Sequence, residues 1–111
     1  MVKRSSWFIH DYANGKPGAF NARIPRSIVE AEGGLIWIAT EDNGVFIYDM
    51  QNHVFTPFTS IPTLGSNVHS LYYDPVSRDM WIGSRFNGLF RYQLGTHQYS
   101  QYFYTNGITS A

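Results

Sequence analysis

Trp37-Ile38-Ala39-Thr40 and Trp81-Ile82-Gly83-Ser84 are two versions of one tetrapeptide, 44 residues apart in a chain of 111. The match continues C-terminally in the same register. Gly44-Val45-Phe46 meets Gly88-Leu89-Phe90, Tyr48 meets Tyr92, His53 meets His97, Phe55 meets Tyr99 and Phe58 meets Tyr102. Upstream, Ser27-Ile28 meets Ser70-Leu71 once the turn ahead of the second tryptophan is allowed one more residue, and turns are where a chain tolerates insertion. Ile108-Thr109-Ser110-Ala111 reads as the start of a third copy, and Trp7-Phe8-Ile9-His10-Asp11-Tyr12 as the tail of a preceding one. The chain is therefore expected to be a window on a longer array.

Each copy divides into four β-rich runs separated by turn formers, with no 3.6-residue apolar period long enough for a helix. In the first copy the runs are Arg26 to Ala31, Leu35 to Thr40, Val45 to Asp49 and His53 to Phe58. The turns between them are Glu32-Gly33-Gly34, Glu41-Asp42-Asn43-Gly44 and Met50-Gln51-Asn52; those of the second copy are Asp74 to Asp79, Arg85-Phe86-Asn87-Gly88 and Leu94-Gly95-Thr96. The second and third runs are apolar on both faces, as in Leu35-Ile36-Trp37-Ile38-Ala39, so both sides of each small sheet must be covered. An all-β chain of four-stranded units repeating about every 40 to 45 residues, each sheet sandwiched by its neighbours, is a set of β-propeller blades. The expected division is the end of a preceding blade and a connecting loop in 1–25, one blade in 26–58, a second in 68–103, and the start of the next in 104–111. A solenoid would use shorter units or helices.

The hydrophobic share of 43% and the aromatic share of 17% suffice for a core. Eight Lys and Arg balance eight Asp and Glu, so no basic field exists to hold nucleic acid. The absence of cysteine excludes disulfides, thiolate metal sites and a cysteine nucleophile. No apolar stretch approaches the roughly 20 residues of a membrane span, so no membrane contact is expected of this segment, and no signal-type apolar run follows Met1 to Ser6.

The string Ile-x5-Gly-x-(Leu/Ile)-Trp-Ile-(Gly/Ala)-(Thr/Ser), an Asn-Gly turn, an apolar residue, Phe, x, Tyr and a later Phe-x-x-Phe or Tyr-x-x-Tyr resembles the two-component regulator propeller repeat. Two copies match nearly end to end and the flanks match as partial copies, so the resemblance covers almost the whole chain. It implies a sensory piece: that family commonly forms the periplasmic sensor of hybrid two-component systems, joined to a histidine kinase and often a DNA-binding domain, and frequently concerned with products of polysaccharide breakdown. It also implies an extracytoplasmic location. This chain departs from such regulators in carrying no kinase, membrane span or output domain.

The residues themselves favour binding over catalysis. His10, His53, His69 and His97 fall in different strand or turn positions without a neighbouring metal or nucleophile motif. The equivalence of His53 and His97 points to a turn preference. Glu41-Asp42-Asn43-Gly44 clusters side-chain oxygens but lacks the spacing of a calcium loop, and its counterpart is Arg85-Phe86-Asn87-Gly88. Gly15-Lys16-Pro17-Gly18 lacks phosphate-loop spacing and reads as a connection between blades. Aromatics such as Tyr72, Tyr73, Tyr99, Tyr102, Phe103 and Tyr104 read as packing residues, since no basic residues interleave them. Neither cofactor nor metal is expected, and no catalytic residue is assigned.

In a propeller the turns between second and third strands share one face with the connections between blades, and that face usually takes the ligand. The candidate ligand-binding residues are thus Glu41, Asp42, Asn43, Arg85, Phe86 and Asn87, with Arg26 and His69 at the ends of the connections. An aromatic beside Arg and Asn suits stacking on a sugar ring and bonding to its hydroxyls. The leading expectation is a sensor propeller fragment taking a small ligand such as an oligosaccharide. The alternative is a protein-interaction propeller, and a propeller-fold lyase or hydrolase would need carboxylates, or His with Arg, converging on a channel. Two blades alone are expected to leave two apolar faces bare and to self-associate head to tail through them.

Overall fold

The computed structural model describes residues 19–104 and 108–110; the stretches Trp7–Tyr12 and Gly15–Gly18, with His10, lie outside the described residues. The chain is all-β. Strands β1 (Pro25–Glu30), β2 (Leu35–Thr40), β3 (Val45–Asp49) and β4 (Val54–Pro57) form one antiparallel sheet in sequence order. Strands β5 (Val68–Asp74), β6 (Asp79–Ser84), β7 (Gly88–Gln93) and β8 (Tyr99–Tyr104) form a second sheet of the same order. A single 3-10 turn, Glu32–Gly34, is the sole helical element among the described residues. The two sheets are propeller-like blades and do not close into a ring. Strand β9 (Ile108–Ser110), expected to open a next blade, runs antiparallel to β8 and adds a fifth strand at the outer edge of the second sheet. An unpaired β8 edge is a ready template for another strand, which accounts for that placement.

The sequence register survives as structural register. Ser27 faces Ala39 in the first sheet and Ser70 faces Gly83 in the second, and both β1 and β5 are irregular just before those serines. The irregularity isolates Arg26 and His69, one per blade. His53 and His97 lie in the third turn of their blades at φ of 56° and 63°, a left-handed conformation that histidine enters more readily than most residues. Each imidazole Nδ1 lies against the tyrosine of the preceding strand, 3.0 Å from the Tyr48 hydroxyl and 2.9 Å from that of Tyr92.

Strand alternation explains why β2 and β3 are apolar on both sides. Trp37, Ala39 and Val45 point toward the second blade, where they bury with Val68, Met80, Ile82, Phe90 and Tyr92, closed by Ile61 and Leu64 of the connection. Ile36, Ile38, Phe46 and Tyr48 point the other way and bury with Phe20, Ala22 and Phe55. Met80, Ile82, Phe90 and Tyr92 are the repeat counterparts of that second set, so each blade presents the same row to whatever precedes it. Trp37 is 2% exposed, its ring centroid 4.9 Å from Phe58 and 6.1 Å from Tyr92, with Phe58 and Tyr92 themselves in edge contact at 4.9 Å.

Of the two faces expected to stand bare, one is therefore covered: Phe20 and Ala22 lie on it. The other is the far side of the second blade. There Trp81 is half-buried, stacked on Tyr102 at 6.3 Å, with the Arg91 guanidinium 5.9 Å from its ring. Arg91 is fixed by a 2.8 Å bond from its Nε to Asp79, which is buried. Their counterparts in the first blade, Ile47 and Leu35, are apolar.

At the end opposite the β2–β3 turn, a polar tie joins the blades. The Glu32 carboxylate accepts from the Tyr73 hydroxyl at 2.8 Å and from Arg78 Nε and Nη2 at 3.0 and 2.6 Å. The Arg78 guanidinium, and after it the Tyr73 hydroxyl, hold this carboxyl down at about 2 from its usual 4.5.

Two outcomes follow from this packing. Trp37→Ala should cost about 3–5 kcal/mol and Trp81→Ala clearly less, measured by urea unfolding of both variants. Glu32 is more acidic folded than unfolded, so its contribution is complete above pH 4.5 and is lost as pH falls toward 2. The melting-temperature gap between the native chain and Glu32→Gln should accordingly be widest at neutral pH and close across that acid window.

Candidate functional site

The β2–β3 turn, the β6–β7 turn and the connection from β4 to β5 meet at one end of the two sheets. Backbone bonds bring them there: Gly44 N donates to Ser66 O at 2.8 Å, Arg85 N to Asn67 O at 2.9 Å, and, in the equivalent place, Glu41 N to Ile24 O at 2.9 Å. A hydroxyl at the end of the second strand organises each turn. Thr40 Oγ1 accepts from Asn43 N at 2.9 Å and donates to Gly44 O at 2.8 Å. Ser84 Oγ accepts from Asn87 N at 3.2 Å but donates across to Leu64 O at 3.0 Å.

The asparagine of each turn clasps the segment leading into its own blade. Asn43 Nδ2 donates to Asn21 O at 2.8 Å, and Asn87 Nδ2 to Leu64 O at 3.2 Å. Asp42 accepts from the backbone of Arg23 at 2.8 Å and of Ile24 at 3.1 Å. Arg26 Nη1 and Glu41 Oε2 form an ion pair of 2.8 Å. Five of the eight candidate residues, Arg26, Glu41, Asp42, Asn43 and Asn87, thus spend polar groups on tying loops together or neutralising each other.

The other three differ. Phe86 is 74% exposed at the tip of its turn, and the Arg85 guanidinium carbon lies 5.3 Å from the centre of its ring. His69 belongs to β5 itself, one residue inside the strand, at its irregular step. Its Nε2 is enclosed without a hydrogen-bond partner, as is Asn67 Oδ1 two residues earlier. Arg85 carries no ion pair among the described residues.

An open concavity of about 360 Å³ lies beside these turns, walled by Phe58, Thr59, Pro62 and Ser66 of the connection and floored by Asn43 and Gly44. Of the eight candidates it takes in Asn43 alone. Sequence reasoning placed the connections between blades on this face but named no residue within this one, although Pro62 and Gly65 mark it as a built loop rather than a strand. Among the described residues no group of three or more His, Asp or Glu is placed to hold a metal ion, and no helix is long and apolar enough to cross a membrane.

No protein-family model matches the chain, and no curated protein matches it.

The two turns differ in how tightly their glycines are held. Gly44 and Gly88 have φ of 73° and 86°, the left-handed region that disfavours a side chain. A Cβ on Gly44 would stand 3.6 Å from Gly65 O, ordinary contact, whereas one on Gly88 runs into the Tyr102 carbonyl oxygen. Gly44→Ala should therefore cost about 1–2 kcal/mol from the backbone alone, and Gly88→Ala more, with β7–β8 pairing disturbed. Amide hydrogen exchange at Tyr102 and Phe103 reads the difference.

Proposed function

We propose that this chain is a binding piece of a sensor propeller of the two-component regulator kind, extracytoplasmic and non-catalytic, and that its turn end takes a small polar ligand such as an oligosaccharide. The observation that carries the reading is the convergence of the β2–β3 turn, the β6–β7 turn and the 58–67 connection on one end, beside an open concavity. Hydrogen bonds fix the loops before any ligand arrives, which limits the ordering cost of binding. The walls combine an aromatic, Phe58, with hydroxyls at Thr59 and Ser66, and Phe86 stands free beside Arg85. Such a mixture suits a sugar, which offers an apolar ring face and a rim of hydroxyls. Catalytic use would require convergent acids or bases, and in the described part the only acids of this end, Glu41 and Asp42, are engaged by Arg26 and by backbone amides.

A second reading, docking of a protein, is favoured by the 64% and 74% exposure of Tyr72 and Phe86, since aromatics and arginine anchor such contacts. It also accommodates self-association through the far face of the second blade.

Calorimetric titration with a panel of oligosaccharides tests the first reading. We expect binding by at least one of them, weakened about 3- to 10-fold in Phe86→Ala through loss of stacking, with the melting temperature unchanged because the ring is exposed. A panel without a single binder would overturn it.

A further inference from the structure

The two blades carry opposite electrical settings at one repeat-equivalent pair of positions. In the first blade these positions hold Arg26 and Glu41, and the 2.8 Å ion pair between them shows that side chains there reach each other. In the second blade the same positions hold His69 and Arg85. The backbone frame is conserved: Glu41 N bonds Ile24 O as Arg85 N bonds Asn67 O, and both β1 and β5 break register at Arg26 and His69. A carboxylate of the first blade has thus become a guanidinium, and its cationic partner an imidazole.

We infer that the second blade's inner corner, formed by His69 and Arg85 with Asn67 beside them, is a subsite for the carboxylate of an acidic sugar, the ligand's own carboxylate standing where Glu41 stands in the first blade. The inference rests on the sugar-binding reading above and narrows its ligand class. Two observations support it. Arg85 has neither ion pair nor side-chain hydrogen bond among the described residues, and its guanidinium is steadied over the Phe86 ring at 5.3 Å. Guanidinium groups pair with carboxylates through two parallel bonds, the strongest hydrogen-bonded pairing available to a side chain.

Finally, the first blade's version of the corner is already neutralised by Arg26 and Glu41, so a single carboxylate per two-blade unit is expected.

The test uses the whole 111-residue chain, a disaccharide bearing one uronic acid, and the same disaccharide with its carboxyl reduced to the alcohol. The acid should bind about tenfold more tightly, the gain expected of a charge-assisted hydrogen bond. The double variant His69→Arg with Arg85→Glu writes the first blade's ion pair into the second and is expected to keep the fold, checked by its circular dichroism. In that variant the preference for the acid should vanish. Equal binding of both sugars by the native chain, or a preference that persists in the double variant, overturns the carboxylate subsite and leaves the sugar reading standing. Binding of neither sugar also overturns the carboxylate subsite, and the sugar reading is then decided by the oligosaccharide panel.

Discussion

A four-stranded sheet that is apolar on both faces cannot exist alone in water, and the Trp37 slot is where this chain meets that constraint. The indole lies in a cleft between blades, flanked by Phe58 at the start of the connection and Tyr92 of the next sheet. Everything else is arranged around keeping that slot closed. The 58–67 connection sends Ile61 and Leu64 into it from one side, while Glu32, Tyr73 and Arg78 clamp it at the far end. The indole Nε1 has no hydrogen-bond partner among the described residues, a cost set against the burial of one of the largest side chains in the protein.

With the slot closed, the loops at the other end are held by geometry as much as by their own chemistry. The side chains of Asn43 and Asn87 each reach back to the segment entering their blade, and Thr40 and Ser84 cap the turns from beneath. Such bonds contribute about 1 kcal/mol each when made but cost more when broken and left buried. Rigid turns with a few projecting side chains, Arg85 and Phe86 above all, are what a preorganised binding surface consists of.

The repeats are informative where they disagree. Positions that pack between blades keep their character from copy to copy: Ile36 and Met80, Ile38 and Ile82, Phe46 and Phe90, Tyr48 and Tyr92. Positions free of that demand in at least one blade have diverged in charge: Glu41 against Arg85, Arg26 against His69, and Ile47 against Arg91. Ile47 packs against a neighbouring blade, whereas Arg91 does not and lies instead over Trp81. Chemistry is free to vary only where packing does not dictate.

Much of this was legible before any coordinates. The 44-residue register by itself determined that the chain is all-β, that it holds two equivalent four-stranded units and where their turns fall, because a repeated alternation of apolar and turn-forming residues admits few other architectures. His53 and His97 were recognisable as turn residues for the same reason. Tertiary structure alone decided which face of each strand meets which neighbour, that Phe20 and Ala22 cover the outer face of the first blade, and that Ile108–Ser110 runs beside β8. It also decided the fate of the polar turn residues. A sequence shows that Asp42, Asn43 and Asn87 are polar and near a turn, but whether a polar group faces water or clasps a backbone depends on segments that lie about 20 residues away in the chain and a bond length away in space, as Asn43 does from Asn21.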